Sequence, residues 1–279
     1  MSFLILLLAL LVEKFSGWRA RLQRDGAWLA WLGLVQGLPG VAARPWLALL
    51  VALLGPLLVL ALVLTLLQPL AYGLLALPVH LLVLIWSLGR GDVHQAMGPF
   101  RDAWRREDLQ GAYHVAERDL GVQADSDAEL FAQVQGMLVW QAFQGFFAVI
   151  FWYALLGPAA ALAYRLLSLT EVHLGRGSGL GERAALLRHA FDWLPARALA
   201  LSFAFVGNFV AVARVLLHHL LAWDYPAARL LAQAACVGED LCDATPGPAG
   251  VASLDALWQL LVRTAVLWYA AFALCAIFL

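Results

Sequence analysis

The sequence is poor in charge. Only 13% of its 279 residues are Asp, Glu, Lys or Arg, about half the share of a soluble domain. That shortage excludes an ordinary water-soluble globule and a disordered charged tail. The formal net charge is −1, which leaves no basic field for nucleic acid. Three cysteines exclude a disulfide-built scaffold. Cys236 and Cys242 lie in CVGEDLC, where a bridge in an oxidising compartment and two unpaired thiols are both open. Strict apolar–polar alternation is missing, which excludes the strands of a membrane barrel. The glycine-dense GRGSGLG (175–181) follows no strand and precedes no Lys-Ser/Thr, so it reads as a flexible connector rather than a phosphate loop. Residues 1–12 lack a basic start and a small-residue cleavage site, so no removed signal peptide is expected.

What the chain has is apolar length. It is 63% hydrophobic with a mean hydropathy of +0.79, and its twelve Trp and six Tyr suit interfacial belts. The expected fold is all-α: a polytopic helical membrane protein, one membrane domain over 1–279, with broken and interfacial helices. Leu4, Leu8, Leu11, Phe15, Trp18 and Leu22 recur at helical spacing and predict a helix over roughly 2–23. Glu13 falls on the face opposite that stripe. An N-terminal region, 1–44, precedes a hydrophobic hairpin, 45–89. PWLALLVALLGPLLVLALVLTLL (45–67) is about 35 Å long as a helix, Gln68-Pro69 turns the chain, and 70–89 returns. Pro78 and His80 lie in the return, which predicts a kinked helix whose imidazole bonds a neighbour.

A polar insert, 90–128, follows. Leu109, Ala112, Tyr113, Ala116 and Leu120 predict a short amphipathic helix ending at Gly121. Ser126-Asp127-Ala128-Glu129 has the spacing of a capping box and opens a core region, 129–223. The first helix there, 127–156, is apolar yet carries Glu129, Gln133, Gly136, Gln141 and Gln144 near one face, and Gly157-Pro158 ends it. A second helix runs over 159–174. Glu182 to Trp193 predicts an interfacial helix, broken at Pro195, with a membrane-entering helix from Ala196 to about Trp223. Proline blocks the backbone bond of a helix interior, so Pro195 is placed in a first turn, where that bond is not needed. Asp192 and Arg197 flank it at the membrane entrance, open to hydration or to a local pair. His218 and His219 are adjacent and point about 100° apart on a helix, so they do not form the i, i+4 pair of a metal site. Loop 237–250 and a helix over 254–279 complete the last region, 224–279. Four firm membrane-inserted regions and two shorter ones are expected.

Three blocks in order, MSFLILLLALLVEKFSGW, FWYALLGPAAALAYRLL and HAFDWLPARALALSFAFVGNF, resemble the AmpE family, inner-membrane proteins associated with beta-lactamase regulation in Gram-negative bacteria. The same blocks are more distantly similar to the CobD/CbiB cobalamin-biosynthesis membrane synthases. That branch carries an acidic and amide set before YALLG; here the stretch is WQAFQG, with Trp140, Gln141 and Gln144 at the corresponding places. Mg²⁺ and ATP chemistry needs hard carboxylate oxygens, so the resemblance implies a polar face stripped of its catalytic charge, with no catalytic residue, no metal and no cofactor expected. ATP and Mg²⁺ enter only if the chain is an amide-forming synthase. The residues left to bind a ligand are Glu13, Glu129, Gln141, Gln144, Glu171, Asp192 and Arg197, with helix-end charges as the plainer reading of each. The resemblance implies a non-catalytic, multi-pass regulator in the bacterial inner membrane, tied to peptidoglycan recycling. Its partners are then the lipid bilayer and a peptidoglycan fragment or anionic small ligand. A transporter or channel for muropeptide-type or lipid-linked ligands is the further alternative.

Overall fold

A computed structural model describes residues 25–41, 43–69, 74–89, 93–175, 177–240 and 246–278, with Ile5 and Leu8 alone of the first 24. The helix expected over 2–23, with Glu13, and Cys242 lie outside the described residues. Every regular element among the described residues is helical. Among the described residues three helices are long and apolar enough to cross a membrane: Pro45–Leu67, Asp127–Leu156 and Pro248–Cys275, with mean hydropathies of 3.0, 1.5 and 1.4. The protein is an all-α helical membrane protein. Its residues group into two units, 1–90 with 148–192 and 276–279, and 91–147 with 193–275.

The first unit contains α1 (Gly26–Gly37), α2 (Pro45–Leu67) and α3 (Ala76–Ser87). On α2 the leucines at 50, 54, 58, 62 and 66 are all exposed. Their spacing of four places them on one face, the face suited to lipid. Ala48, Leu49, Ala52 and Leu53 instead pack with Trp28, Leu32 and Val35 of α1 in a buried core. Residues 70–73 of the expected return span, 70–89, lie outside the described residues, and over 74–89 the helix is shorter than predicted. It has 12 residues, about 18 Å of rise against a hydrocarbon core of about 30 Å. Pro78 falls in its first turn, where proline costs no bond, so the expected kink has no cause. The His80 prediction holds: its Nδ1 and the Tyr153 hydroxyl lie 3.0 Å apart in a hydrogen bond.

In the second unit, a turn Val93–Ala96 (α4) leads to α5 (Gly98–Arg105) and α6 (Leu109–Val115). A single π turn, Ala116–Leu120, extends α6 to Gly121 at φ +65°, the left-handed end that glycine permits. Phe100, Trp104 and Phe131 stack in series, with centroids 5.5 and 4.9 Å apart. α7 (Asp127–Ala142) starts as predicted, with Ser126 Oγ accepting from the Glu129 amide at 3.3 Å. A π turn, Phe143–Phe147, joins it to α8 (Ala148–Leu156) in the first unit. Gly157-Pro158 then ends α8 and opens α9 (Pro158–Leu174).

α10 (Gly179–Val206) corrects the sequence reading. It runs through Pro195 without a break. A proline inside a helix leaves the carbonyl four residues earlier without its amide donor. For Pro195 that carbonyl belongs to Phe191, and the Trp152 indole donates to it at 3.2 Å. The same substitution occurs in α2. Pro56 strands the Ala52 carbonyl, and the Trp31 indole donates to it at 3.0 Å. Gly55 makes room for that ring: a Cβ there would meet Trp31 at 2.5 Å. The described helices hold two interior prolines, and an indole N–H stands in for the lost amide at both.

The chain breaks instead at Gly207-Asn208. Asn208 caps α11 (Phe209–His219), its side chain accepting from the Ala211 amide at 3.2 Å. Its own amide donates to the Gly238 carbonyl at the end of α12 (Ala227–Gly238). A Cβ at Gly207 would sit 2.5 Å from that carbonyl, so glycine permits the close approach. α13 (Pro248–Phe278) starts six residues earlier than the predicted 254 because Pro248 supplies its first turn. In the second unit Gln135 donates to Ser253 at 3.3 Å, and Cys236 Sγ donates to Gln135 Oε1 at 3.9 Å.

Candidate functional site

The buried polar residues sort the candidates. In the first unit α9 and α10 supply a charged cluster. The Arg188 guanidinium lies 2.9 Å from the Glu171 carboxylate and 3.5 Å from that of Asp192. Arg188 and Asp192 are one helical turn apart, so α10 itself aligns them. The Tyr164 hydroxyl donates to Asp192 Oδ1 at 2.7 Å. Tyr164 is 1% and Asp192 3% exposed. Arg188 thus stands between the two acids, with Arg165 and His189 also close enough to act on the group electrostatically. Burial pushes the Asp192 carboxyl up to about 6, against the opposing pull of Arg188 and the Tyr164 hydrogen bond, and with Glu171 pushing the same way. Burial raises the Tyr164 phenol well above its ordinary value, and Asp192 adds to the rise. The arrangement can therefore hold a proton or trade it for a cationic group near neutral pH.

Arg197 behaves differently. Its Nε donates to the Leu220 carbonyl at 2.7 Å, Nη1 to that of Trp193 at 3.1 Å, and Nη2 to His219 and Ala222 at 3.2 and 2.7 Å. Four of the five guanidinium N–H groups are thus spent on main-chain carbonyls. Three of those carbonyls belong to the end of α11 and the turn after it, where a helix leaves its acceptors unpaired and its dipole favours a cation. The Trp193 ring lies 4.1 Å below the guanidinium and completes the cage. Arg197 is a capping residue for α11. Its charge meets a helix end, and that of Asp192 meets Arg188 and Tyr164.

Of the remaining candidates, Glu13 lies outside the described residues and the other three lie in the second unit. Glu129 is exposed and acts as a cap, accepting from the Asp125 amide at 3.2 Å and from Gln133 at 3.1 Å. Gln141 and Gln144 are half-buried. Gln144 falls within the π turn Phe143–Phe147, a distortion that recurs at functional sites. Trp140 stacks on Phe143 with centroids 5.2 Å apart. Of the seven candidates, the structure brings Glu171 and Asp192 together through Arg188.

Sequence reasoning missed Arg188 and Tyr164. Arg188 had a readable signal, since it precedes Asp192 by four residues and so shares its helix face. Tyr164 had none, because a tyrosine in an apolar helix is ordinarily core.

No curated protein and no solved structure matches the chain. Residues 1–264 match the family described as the regulatory signalling modulator protein AmpE, and the chain belongs to that family.

Proposed function

We propose that the chain is a multi-pass regulator in the bacterial inner membrane, one that modulates beta-lactamase induction in step with peptidoglycan recycling and acts without catalysis. The observation that carries this reading is the buried Glu171–Arg188–Asp192 cluster with Tyr164 on it. A signalling element needs two arrangements close in free energy, and a ligand acts by preferring one of them. Two carboxylates on the Arg188 guanidinium, with Asp192 raised to about 6, supply such a pair. A peptidoglycan fragment bears both amino and carboxylate groups, so it has partners for Arg188 and for either acid. Arg197 is occupied by carbonyls, so recognition rests on the α9–α10 cluster. Gln141 and Gln144 leave the π turn without a carboxylate for a metal, which favours sensing over group transfer.

The test is a Gram-negative strain with inducible beta-lactamase, deleted for its own AmpE and complemented with this chain. Nitrocefin hydrolysis is measured before and after induction by a sub-inhibitory beta-lactam. Wild type is expected to change the induction ratio relative to empty vector. The Glu171→Gln, Asp192→Asn double variant, present in the membrane at the same level, is expected to lose most of that change. Identical ratios for wild type and empty vector would refute the regulatory reading. An unaltered ratio in the double variant would remove the cluster from it.

A further inference from the structure

α11 and α12 form an antiparallel hairpin in the second unit, tied at one end by the Asn208 amide on the Gly238 carbonyl. A groove of about 460 Å³ opens on this hairpin, lined by Arg214, Val215, Leu217, His218, His219 and Gln233. Its polar lining is a donor set. Arg214 and His218 lie one turn apart on α11, and both are exposed. Arg214 makes no ion pair among the described residues. Across the groove, the Tyr225 hydroxyl donates to Gln233 Oε1 at 2.8 Å, which leaves the Gln233 amide nitrogen as the donor. Between 205 and 238 the sequence holds two arginines and two histidines against the single carboxylate of Asp224, which is exposed in the turn after α11.

The groove is also prepared. His219 stacks on Tyr225 at 3.8 Å with the rings 6° from parallel. Arg197 pins the same turn through the carbonyls of His219, Leu220 and Ala222. That chain of contacts runs from Arg197 through His219 and Tyr225 to Gln233 and orients the Gln233 amide before anything binds. Beside them lies an apolar strip facing outward, with Val210, Leu217 and Leu221 at 66, 69 and 83% exposure. On an α-helix Arg214 and His218 border the stripe made by Val210 and Leu217. A guanidinium and neighbouring hydrogen-bond donors beside an outward apolar strip match a molecule with an anionic head and a hydrocarbon tail.

We propose that this groove is a binding site for the phosphate of an anionic phospholipid, with Arg214, His218 and Gln233 on the headgroup and the acyl chains along Val210, Leu217 and Leu221. The site is independent of the α9–α10 cluster and places the α11–α12 hairpin in the membrane interface.

Native mass spectrometry of the full chain in detergent, supplied with phosphatidylglycerol or phosphatidylcholine, tests the assignment. Phosphatidylglycerol is expected to be retained in preference. Arg214→Gln is expected to cut that retention about fivefold, the weight of one basic side chain at an anionic surface, while Arg214→Lys keeps most of it. Arg229→Gln, exposed on α12 but outside the groove lining, is expected to change nothing. Should Arg214→Gln not fold by circular dichroism, His218→Asn takes its place, with a smaller loss expected. Equal retention of the two lipids overturns the proposal, as does retention indifferent to Arg214 and His218. Displacement of phosphatidylglycerol by millimolar inorganic phosphate assigns the groove to a soluble phosphate and overturns it as well.

Discussion

If the Trp152 indole replaces the amide that Pro195 lacks, the two residues are coupled although neither is bonded to the other. Trp152→Phe keeps a ring against Phe191, whose centroid lies 4.9 Å away, and removes the N–H. The Phe191 carbonyl then has no donor from the helix and none from the indole. Its residue is half-buried, so the expected cost is about 1–2 kcal/mol, the lower part of the penalty for an unsatisfied buried acceptor. Pro195→Ala restores a main-chain N–H four residues after Phe191, in line with its carbonyl. In that background Trp152→Phe orphans nothing, and its cost is expected to fall to the loss of ring area alone, below about 0.5 kcal/mol. The cycle formed by the two single variants and the double variant therefore carries a coupling of about 1 kcal/mol. Unfolding in mixed micelles at increasing sodium dodecyl sulfate, followed by far-ultraviolet circular dichroism, measures it without relying on the tryptophan removed. A Trp152→Phe cost that is the same within about 0.3 kcal/mol in both backgrounds would refute the substitution of indole for amide. Trp31 and Pro56 offer a second cycle with the same expected sign, on a different helix.

Arg197→Met is expected to cost about 2–4 kcal/mol in the same unfolding assay, because it strips donors from several carbonyls at once. Arg197→Lys recovers only part of this, since a single ammonium cannot span the fork that reaches Trp193, His219, Leu220 and Ala222; full recovery would show that charge alone matters there. Asp192 predicts a pH dependence. Its carboxyl is raised from 3.8 to about 6 in the folded protein, so the folded state binds the proton more tightly than the unfolded chain. Stability falls as pH rises from about 4 to about 6 and is level above that. At 1.36 kcal/mol for each pH unit the fall approaches about 3 kcal/mol. Asp192→Asn keeps an acceptor for Tyr164 and removes the titration, so the wild-type and variant curves should diverge between about pH 4 and about pH 6 and run parallel above that. Parallel curves between about pH 4 and about pH 6 would contradict the raised carboxyl.

Which features the sequence reveals depends on how far away the compensating partner lies. The capping of α7 by Ser126, the left-handed end at Gly121 and the Gly157-Pro158 boundary all have their partners within a few residues. Their chemistry is local and can be read from spacing. Pro195 is the opposite case. Its own chemistry says that the helix stops, and that reading is sound for the isolated segment. The donor that rescues the helix sits 39 residues from the carbonyl it satisfies, on α8, and no local pattern marks Trp152 for that role. Displacing the break from Pro195 to Gly207-Asn208 has a consequence for the charges on either side of the proline. Asp192 and Arg197 then belong to one uninterrupted helix, in which residues five apart point about 140° from each other. They cannot face a common ligand from the same side of α10. Asp192 turns to Arg188 and Tyr164, and Arg197 to the end of α11. The DWLPAR segment is therefore a helical turn whose two charges serve different centres, one that takes up a proton as the pH falls towards 6 and one that holds a helix end in place.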